Sequence, residues 1–447
     1  MRGALATFVA LVLLATPLLF ALPASAGSVS ASAGAADLSL RVIGPVATDR
    51  LGGGMVIGVQ AGDALFAVRY GVEGHPNNVA IFAEYKRFLG AADIVDEQGR
   101  LLATRGVPVD TILAQTLDRF IEFRQSNASE PFDLGAWNDT VGFLLPRPVN
   151  EPVKGLSLFT AWTLSGLTNE SAGTTTYVNF TISASDLAYT RVRNGTEQGD
   201  GVLNSVAFTF HLRVDEVQRS GEIPWYKVTV SDGTPREILG VEFLYRKAVS
   251  GTAAVMAAKY DHSIQGWDFA NATDKLALET YLVYGNYVPD RTVDFIRLAF
   301  FRDRADDGTT TVANATMGPA RPVFYTKDKI YFDDNWTRVG RFEWVSNVTV
   351  DGETKTMSFE IQGAARYVYA RLGGPRFLGF GIRGAFVYPA GESIVHDPGM
   401  NAEMFVPSLS TGFNLTPLSS LLMQVAVIGV AILPALYLRS KARRRLN

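Results

Sequence analysis

The sequence predicts a mostly β protein, an antiparallel β-sandwich ectodomain of two packed β domains followed by one C-terminal transmembrane helix. The first observation is period-two alternation of apolar and polar residues, which is typical of strands with one buried face. The second is the dipeptide Asp351-Gly352, favoured in two-residue hairpin turns, between two alternating stretches. The third is a run of 21 residues without a charged side chain at 418–438, about the length of a membrane-spanning helix.

The N-terminal residues have the pattern of a secretory signal peptide, which we assign to residues 1–26. Arg2 precedes an apolar stretch at 4–22, and a small-residue Ala-Ser-Ala cleavage site ends at Ala26. An uncleaved anchor is the alternative, since the apolar stretch is long. Residues 27–36 are small and polar, which predicts a flexible leader.

The ectodomain is divided at residues 190–201, a polar, glycine-rich segment. This division predicts a first β-rich region at 37–195 and a second β-rich sandwich domain at 196–412. Residues 413–417 then form a juxtamembrane segment.

Strands are predicted wherever apolar residues alternate or cluster between turn residues. These ranges are 38–43, 55–59, 65–70, 79–85, 177–183, 205–214, 225–231, 241–245, 276–284, 295–301, 341–350, 353–361 and 367–370. Residues 111–119 instead show apolar side chains at helical spacing after Asp110, which predicts a short helix. The Ile-Glu-Phe-Arg stretch that follows is equally compatible with a strand.

The stretch at 418–438 is interpreted as a transmembrane helix because a buried core helix of this length would show a polar face. Residues 439–447 contain five basic side chains, and a basic cluster beside an apolar span marks the cytoplasmic side. We therefore expect a type I cell-membrane protein with an extracellular ectodomain and a basic cytoplasmic tail. A processed sorting tail is the alternative, although no recognisable cleavage motif precedes the span.

The charge balance disfavours some classes of partner, and the missing cysteines exclude some classes of site. The chain has 41 Lys and Arg against 44 Asp and Glu, and 35 basic residues remain once Arg2 and the five tail residues are removed. An acidic ectodomain disfavours nucleic acid and anionic lipid headgroups, which bind basic surfaces. With no cysteine in the chain, thiolate metal sites and cysteine nucleophiles are excluded.

Glycosylation acceptors are the most repeated motif. Ten asparagines open an N-x-Ser/Thr triplet without an intervening proline: Asn127, Asn138, Asn169, Asn179, Asn194, Asn271, Asn314, Asn335, Asn347 and Asn414. This number predicts a heavily glycosylated surface protein. The combination with no cysteine favours an archaeal envelope over a eukaryotic secretory pathway, where disulfides are common.

Motifs that carry catalysis are few. Residues 379–384 match G-x-G-x-x-G, but a strand pattern follows them instead of the helix that pyrophosphate binding requires. Glycine-rich strand bends explain them better, and no cofactor is expected. Asp261-His262 and His396-Asp397 would form a hydrolase or metal site if the fold brought them together. The sequence favours the alternative that these residues occupy loops at strand ends; Asp261 and His262 also remain ligand-binding candidates.

Two further groups of residues are candidates for binding. Asp333 and Asp334 cluster the hard oxygen ligands that Ca²⁺ prefers, without the alternating spacing of a recognised calcium loop. Trp267 with Asp268, and Trp336, lie near polar loops. Aromatic faces beside carboxylates suit sugar rings, so these residues are predicted to bind a ligand.

The sequence leads to one main functional hypothesis and two alternatives. The main hypothesis is a single-pass, non-catalytic cell-surface glycoprotein active in envelope organisation, adhesion or glycan binding, with envelope glycans or surface-layer proteins as partners. The alternatives are a membrane-tethered extracellular hydrolase that uses Asp and His, and a surface receptor module for a small ligand. An enzyme should gather its Asp and His side chains in one pocket, whereas a structural protein should scatter them.

Overall fold

The structure is a computed structural model of the 447-residue chain. The residues that it describes are 38–43, 54–61, 64–125, 136–138, 143–145, 150–191, 201–233, 237–288, 323–325, 328–333, 338–369 and 376–407. Their regular structure is strand, and none of them lies in a helix.

The described strands are numbered β1 to β23 in chain order. The first twelve are β1 Leu38–Ile43, β2 Met55–Ala61, β3 Ala64–Tyr70, β4 Val79–Val95, β5 Leu101–Arg124, β6 Ala136–Asn138, β7 Phe143–Leu145, β8 Glu151–Ser157, β9 Thr163–Ala172, β10 Thr175–Ala188, β11 Thr190–Arg191 and β12 Val202–Val230. The remainder are β13 Ile238–Gln265, β14 Lys275–Val288, β15 Val323–Tyr325, β16 Lys329–Asp333, β17 Arg338–Glu343, β18 Asn347–Val350, β19 Glu353–Thr356, β20 Ser358–Tyr369, β21 Arg376–Pro389, β22 Ser393–His396 and β23 Gly399–Pro407.

Antiparallel pairing arranges most strands in two layers. The first layer has the order β1-β2-β3-β4-β5-β14-β21-β20, and β8 pairs with the end of β5. The second layer has the order β9-β10-β12-β13-β23-β17-β16-β15. Strand β22 pairs with the last residues of β13, past the residues that pair with β23. On its other side β22 pairs with β18 of the β18–β19 hairpin.

Alternation along these strands directs one face of each layer into a shared hydrophobic core. Phe66 and Leu278 of the first layer and Phe208, Phe210 and Tyr260 of the second belong to one buried cluster. The arrangement is that of two sheets packed face to face, as in a β-sandwich. The predicted antiparallel, mostly β class is confirmed.

Strand pairing crosses the position where the sequence suggested a division between two regions. Strand β10 pairs with β12, and β5 pairs with β14, so that both pairs join residues before 195 to residues after 196. The buried cluster likewise contains residues from both sides. The largest buried cluster is therefore shared by residues from both predicted regions.

The predicted leader and membrane segments lie outside the described residues, as do residues 295–301, a predicted strand. Among the described residues, no helix is long and apolar enough to cross a membrane.

The short helix predicted at 111–119 is wrong, because these residues lie in β5. A register shift opposite Glu279 and Thr280 inserts one extra residue at Asp118. With this bulge, Leu113, Leu117 and Phe120 all face the same core, which mimics the spacing of a helix face.

The two longest hairpins, β4–β5 and β12–β13, join beyond the core in a four-stranded sheet with the order β5-β4-β12-β13. We call residues 91–95, 101–106, 225–230 and 238–245 the distal sheet. Its central pair is parallel, with Trp225 opposite Ala91 and Thr229 opposite Val95. Gly90 precedes this pair, and a Cβ there would lie 2.6 Å from the carbonyl oxygen of Pro224, so only glycine permits the approach of β4 to β12.

The glycine motif at 379–384 lies within β21, as the strand pattern predicted. A Cβ added to Gly384 would meet the ring of Phe359 at 2.3 Å. This glycine therefore makes room for an aromatic ring of the neighbouring strand, which is a packing role.

The hairpin predicted at Asp351-Gly352 is confirmed. Val350 pairs with Glu353, and the two turn residues have φ angles of 52° and 79°, as a type I′ turn requires. The paired strands are shorter than predicted, because β17 joins the second layer whereas β20 joins the first. The hairpin thus lies where the chain passes from one sheet to the other.

Replacing Gly352 by Val should destabilise the fold by about 1–3 kcal/mol, because a β-branched residue strongly resists a positive φ. The measurement is the midpoint and slope of urea unfolding. The control is Gly240→Val, since neither glycine has another atom within 4 Å of an added Cβ but only Gly352 has a positive φ. Equal effects of the two substitutions would contradict the type I′ turn.

Candidate functional site

The aspartates and histidines that are adjacent in sequence point to opposite faces of the second layer. The side chains of His262 and His396 are 0% and 2% exposed and lie in the core. The side chains of Asp261 and Asp397 are each 37% exposed on the outer face. Because successive residues of a strand alternate between its faces, neither aspartate can orient its neighbouring histidine.

The two histidines form a buried polar row with Tyr388 of β21. The Tyr388 Oη lies 2.6 Å from His262 Nε2 and 3.2 Å from His396 Nδ1. His262 and His396 are direct cross-strand neighbours in the second layer. Tyr388 belongs to the first layer, so the row connects the two sheets through the core.

The direction of the hydrogen bonds follows from the carbonyl at one end of the row. The carbonyl oxygen of Val345 lies 2.8 Å from His396 Nε2 and can only accept, so this nitrogen carries a proton. In the neutral ring, His396 Nδ1 then accepts from the Tyr388 hydroxyl. The hydroxyl oxygen accepts in turn from His262 Nε2, which leaves His262 Nδ1 without a partner among the described residues.

Burial keeps both imidazoles neutral. Desolvation lowers the pKa of His262 well below its ordinary value, and the neighbouring His396 lowers it further. Desolvation also lowers the pKa of His396, against opposing effects of the Val345 carbonyl and the two outer aspartates. Burial raises the pKa of Tyr388 well above its ordinary value. The row therefore stabilises neutral groups and offers no charged acid or base to a substrate.

The outer aspartates belong to an exposed polar row. Lys259 lies 2.8 Å from Asp397 and 3.6 Å from Asp261, and the hydrogen bond to Asp397 is the main cause of its raised pKa. His211 Nδ1 donates to the Asn179 side-chain oxygen at 2.8 Å. Exposed ion pairs of this kind contribute little to stability, and the row has the character of a solvated sheet surface.

Trp267 lies in the interior and not in an exposed loop. Its side chain is 3% exposed and packs edge-on against Phe120 and Tyr189. The indole N–H donates to Glu122 Oε2 at 2.9 Å. The prediction that Trp267 presents its ring to a sugar is therefore corrected. The polar residues that neighbour Trp267 in the sequence do not surround its side chain in the structure. Asp268 is exposed.

Glu122 is the centre of this second buried polar group. Its Oε1 accepts from the Ala270 backbone N–H at 2.7 Å, and Lys154 Nζ lies 3.5 Å from its Oε2. Lys154 also donates to the Asp268 carbonyl and lies 4.3 Å from the centre of the Tyr189 ring. The pKa of Glu122 is raised, because desolvation by burial outweighs the lowering effect of the Trp267 and Ala270 donors and of Lys154. The group connects β5, β8 and the segment after β13.

The remaining ligand and metal candidates are Trp336, Asp333 and Asp334. Trp336 and Asp334 lie outside the described residues, and Asp333 is the last residue of β16. Within the described ranges, no group of three or more His, Asp or Glu side chains has the arrangement to hold a metal ion.

Comparisons with known proteins add no relative. No protein-family model matches the chain, and neither the curated proteins nor the solved structures give a match.

Sequence reasoning missed Tyr388, Glu122, Lys154 and Tyr189, which complete the two buried polar groups. Each contacts a partner far away in the chain, for example Glu122 with Trp267. One available signal was Glu122 in the apolar stretch Phe-Ile-Glu-Phe of residues 120–123, because an acidic residue in a buried strand needs a specific partner.

Stability should fall as the pH falls below about 6.5, because the unfolded chain then binds protons that buried His262 and His396 do not bind. The sign follows from the lowered pKa values of both groups in the fold. Each histidine that is protonated in the unfolded chain but neutral in the fold contributes a slope of up to about 1.4 kcal/mol per pH unit. Urea unfolding at a series of pH values measures this slope.

His262→Leu and His396→Leu should each reduce the slope, because each removes a buried histidine whose pKa is lowered in the fold. The slope of each variant is compared with that of the unaltered chain, so a change in overall stability does not obscure the result. An unchanged slope in His262→Leu would show that this side chain is protonated in the fold.

Trp267→Phe should destabilise the fold by about 1–3 kcal/mol more than Trp225→Phe, because it removes a hydrogen-bond donor from a buried carboxylate. The side chains are 3% and 6% exposed. The indole N–H of Trp225 has no hydrogen-bond partner in the described part of the chain, so its loss leaves no acceptor unsatisfied. Thermal or urea unfolding compares the stability of the two variants. Equal losses of stability would show that the hydrogen bond from Trp267 to Glu122 does not stabilise the fold.

Proposed function

We propose that the chain is a membrane-anchored, non-catalytic glycoprotein of the cell surface, with a β-sandwich ectodomain that serves envelope organisation or adhesion. The proposal combines the sequence pattern of an export signal, ten acceptor triplets and a C-terminal apolar span followed by basic residues. An archaeal envelope is the setting that this composition favours. Envelope glycans or surface-layer proteins are the proposed partners.

The observation that carries the proposal is the position of the acceptor asparagines. Asn271 and Asn347 are exposed, and Asn169 and Asn179 are partly exposed. The triplet also fits a strand, because its two polar residues are two positions apart and so share a face. At residues 347–349, Asn and Thr face outward and the intervening Val348 is buried. The exposure of Asn271 and Asn347 supports the proposal, because a glycan attached there would extend into solvent.

The placement of the titratable groups supports a non-catalytic role over the hydrolase alternative. That alternative required His262 or His396 to share a pocket with Asp261 or Asp397. The histidines instead lie in the core with Tyr388, and the aspartates lie outside with Lys259. A general base must reach the proton that it abstracts, and a histidine in a closed core does not reach a substrate.

The proposal is tested by glycopeptide mass spectrometry of the full-length chain produced in an archaeal host, combined with protease treatment of intact cells. We expect glycan at Asn271 and Asn347, recovery in the membrane fraction, and digestion of the ectodomain from outside.

Asn78 and Asn401 are the internal controls, since neither opens an acceptor triplet. Unmodified Asn271 and Asn347, together with protection from external protease, would overturn the proposal.

A further inference from the structure

The distal sheet carries a concentration of exposed apolar side chains. Of the fourteen large hydrophobic residues that are exposed in the described part of the chain, six lie on it: Leu101, Leu102, Leu239, Phe243, Leu244 and Tyr245. Four of the six belong to the start of β13, where residues 242–248 are exposed at every position. A strand of a stable monomer normally buries at least one face, so this stretch has the character of an interface.

The first part of β13 is also an edge. Residues 238–245 pair with β12 on one side, and the pairings of β13 with β23 and β22 begin only at Gly251 and His262. Within the described residues, no strand pairs with 238–250 on the other side. Exposed edges of this kind are the places where a second chain adds to a sheet.

The order of charges along this edge indicates which partner fits it. Residues 242–247 read Glu-Phe-Leu-Tyr-Arg-Lys, with the acid at one end and two bases at the other. Because of the bulge at Leu244, Glu242 and Lys247 share one face of the strand and Phe243 and Arg246 the other. A second copy in antiparallel orientation places Glu242 opposite Lys247 and Phe243 opposite Arg246, and Glu242 also lies 3.1 Å from Lys227 of its own chain. A parallel copy would oppose like charges, which destabilises a contact. The segment is therefore complementary to itself about a two-fold axis.

Contacts within the chain fix the positions of the two aromatic side chains on this edge. Tyr245 stacks on Trp225 at 6.2 Å, and Phe243 packs edge-on against Tyr226 at 5.8 Å. Each aromatic ring is held from one side, yet Tyr245 and Phe243 are still 48% and 51% exposed. Held aromatic rings lose little conformational entropy on binding, which favours them as interface residues.

Two features of the edge define the kind of contact. Register shifts at Leu239 and Leu244 form bulges, which interrupt a regular ladder and oppose the unlimited strand addition of a fibril. The hairpins at 79–124 and 202–265 contain no glycosylation acceptor triplet, so no N-linked glycan is attached to the strands of this edge. The contact is thus a limited one, made by side chains around Leu244.

We infer that this edge of the distal sheet is a self-association surface, on which a second copy of the chain binds in antiparallel orientation about a two-fold axis near Leu244. An isologous contact of this kind closes on itself and gives a dimer. The inference is independent of the proposed cell-surface function, because it rests on the exposure and charge order of residues 242–247.

The test uses the absence of cysteine, which makes an introduced cysteine unique. Leu244→Cys in the full-length chain, treated in cells with a short membrane-permeable bismaleimide, should give a cross-linked product of twice the chain mass. The matched control is Leu167→Cys in β9, because both leucines are 37% exposed. We expect several-fold more dimer from the first variant.

Charge reversal then tests the orientation. In the Leu244→Cys background, Glu242→Lys should reduce the dimer, and a second reversal, Lys247→Glu, should restore it. Circular dichroism and thermal unfolding verify that each variant is folded. Cross-linking of Leu244→Cys no greater than that of Leu167→Cys, a product of another mass, or a dimer insensitive to both reversals would overturn the inference.

Discussion

The constraint on which the structure depends is the alternation of side chains along a strand. It places alternate residues of paired strands from both layers in one buried cluster, from Phe66 and Leu278 to Phe208 and Tyr260. The same alternation separates Asp261 from His262 and His396 from Asp397 by the thickness of a sheet. The fold thus gives adjacent residues different environments: the histidines are buried and the aspartates are in contact with solvent.

Two buried polar groups connect the layers of the fold and its connecting segments. The row of His262, Tyr388 and His396 joins the sheets through neutral hydrogen bonds, and Glu122 ties Trp267 to the end of β5. Groups of this kind are stabilising only when their hydrogen bonds are satisfied.

Local patterns in the sequence predicted much of the fold. The strand at 38–43, the strand around 276–284 and the turn at 351–352 were found because alternation and turn chemistry are local. The bulge at Asp118, the continuous 29 residues of β12 and the partners of Glu122 were not, because they depend on pairings with residues distant in the chain. The site residues were predicted least well for the same reason.

The central claim is that the histidines of the two Asp–His pairs are neutral core residues. The direct measurement is ¹⁵N NMR of histidine side chains in the folded chain, which contains four histidines, through a titration from neutral to mildly acidic pH. The account predicts that His262 and His396 stay neutral while the fold persists, with the proton of His396 on Nε2. Protonation of both near the ordinary histidine pKa, in a chain that remains folded, would contradict it.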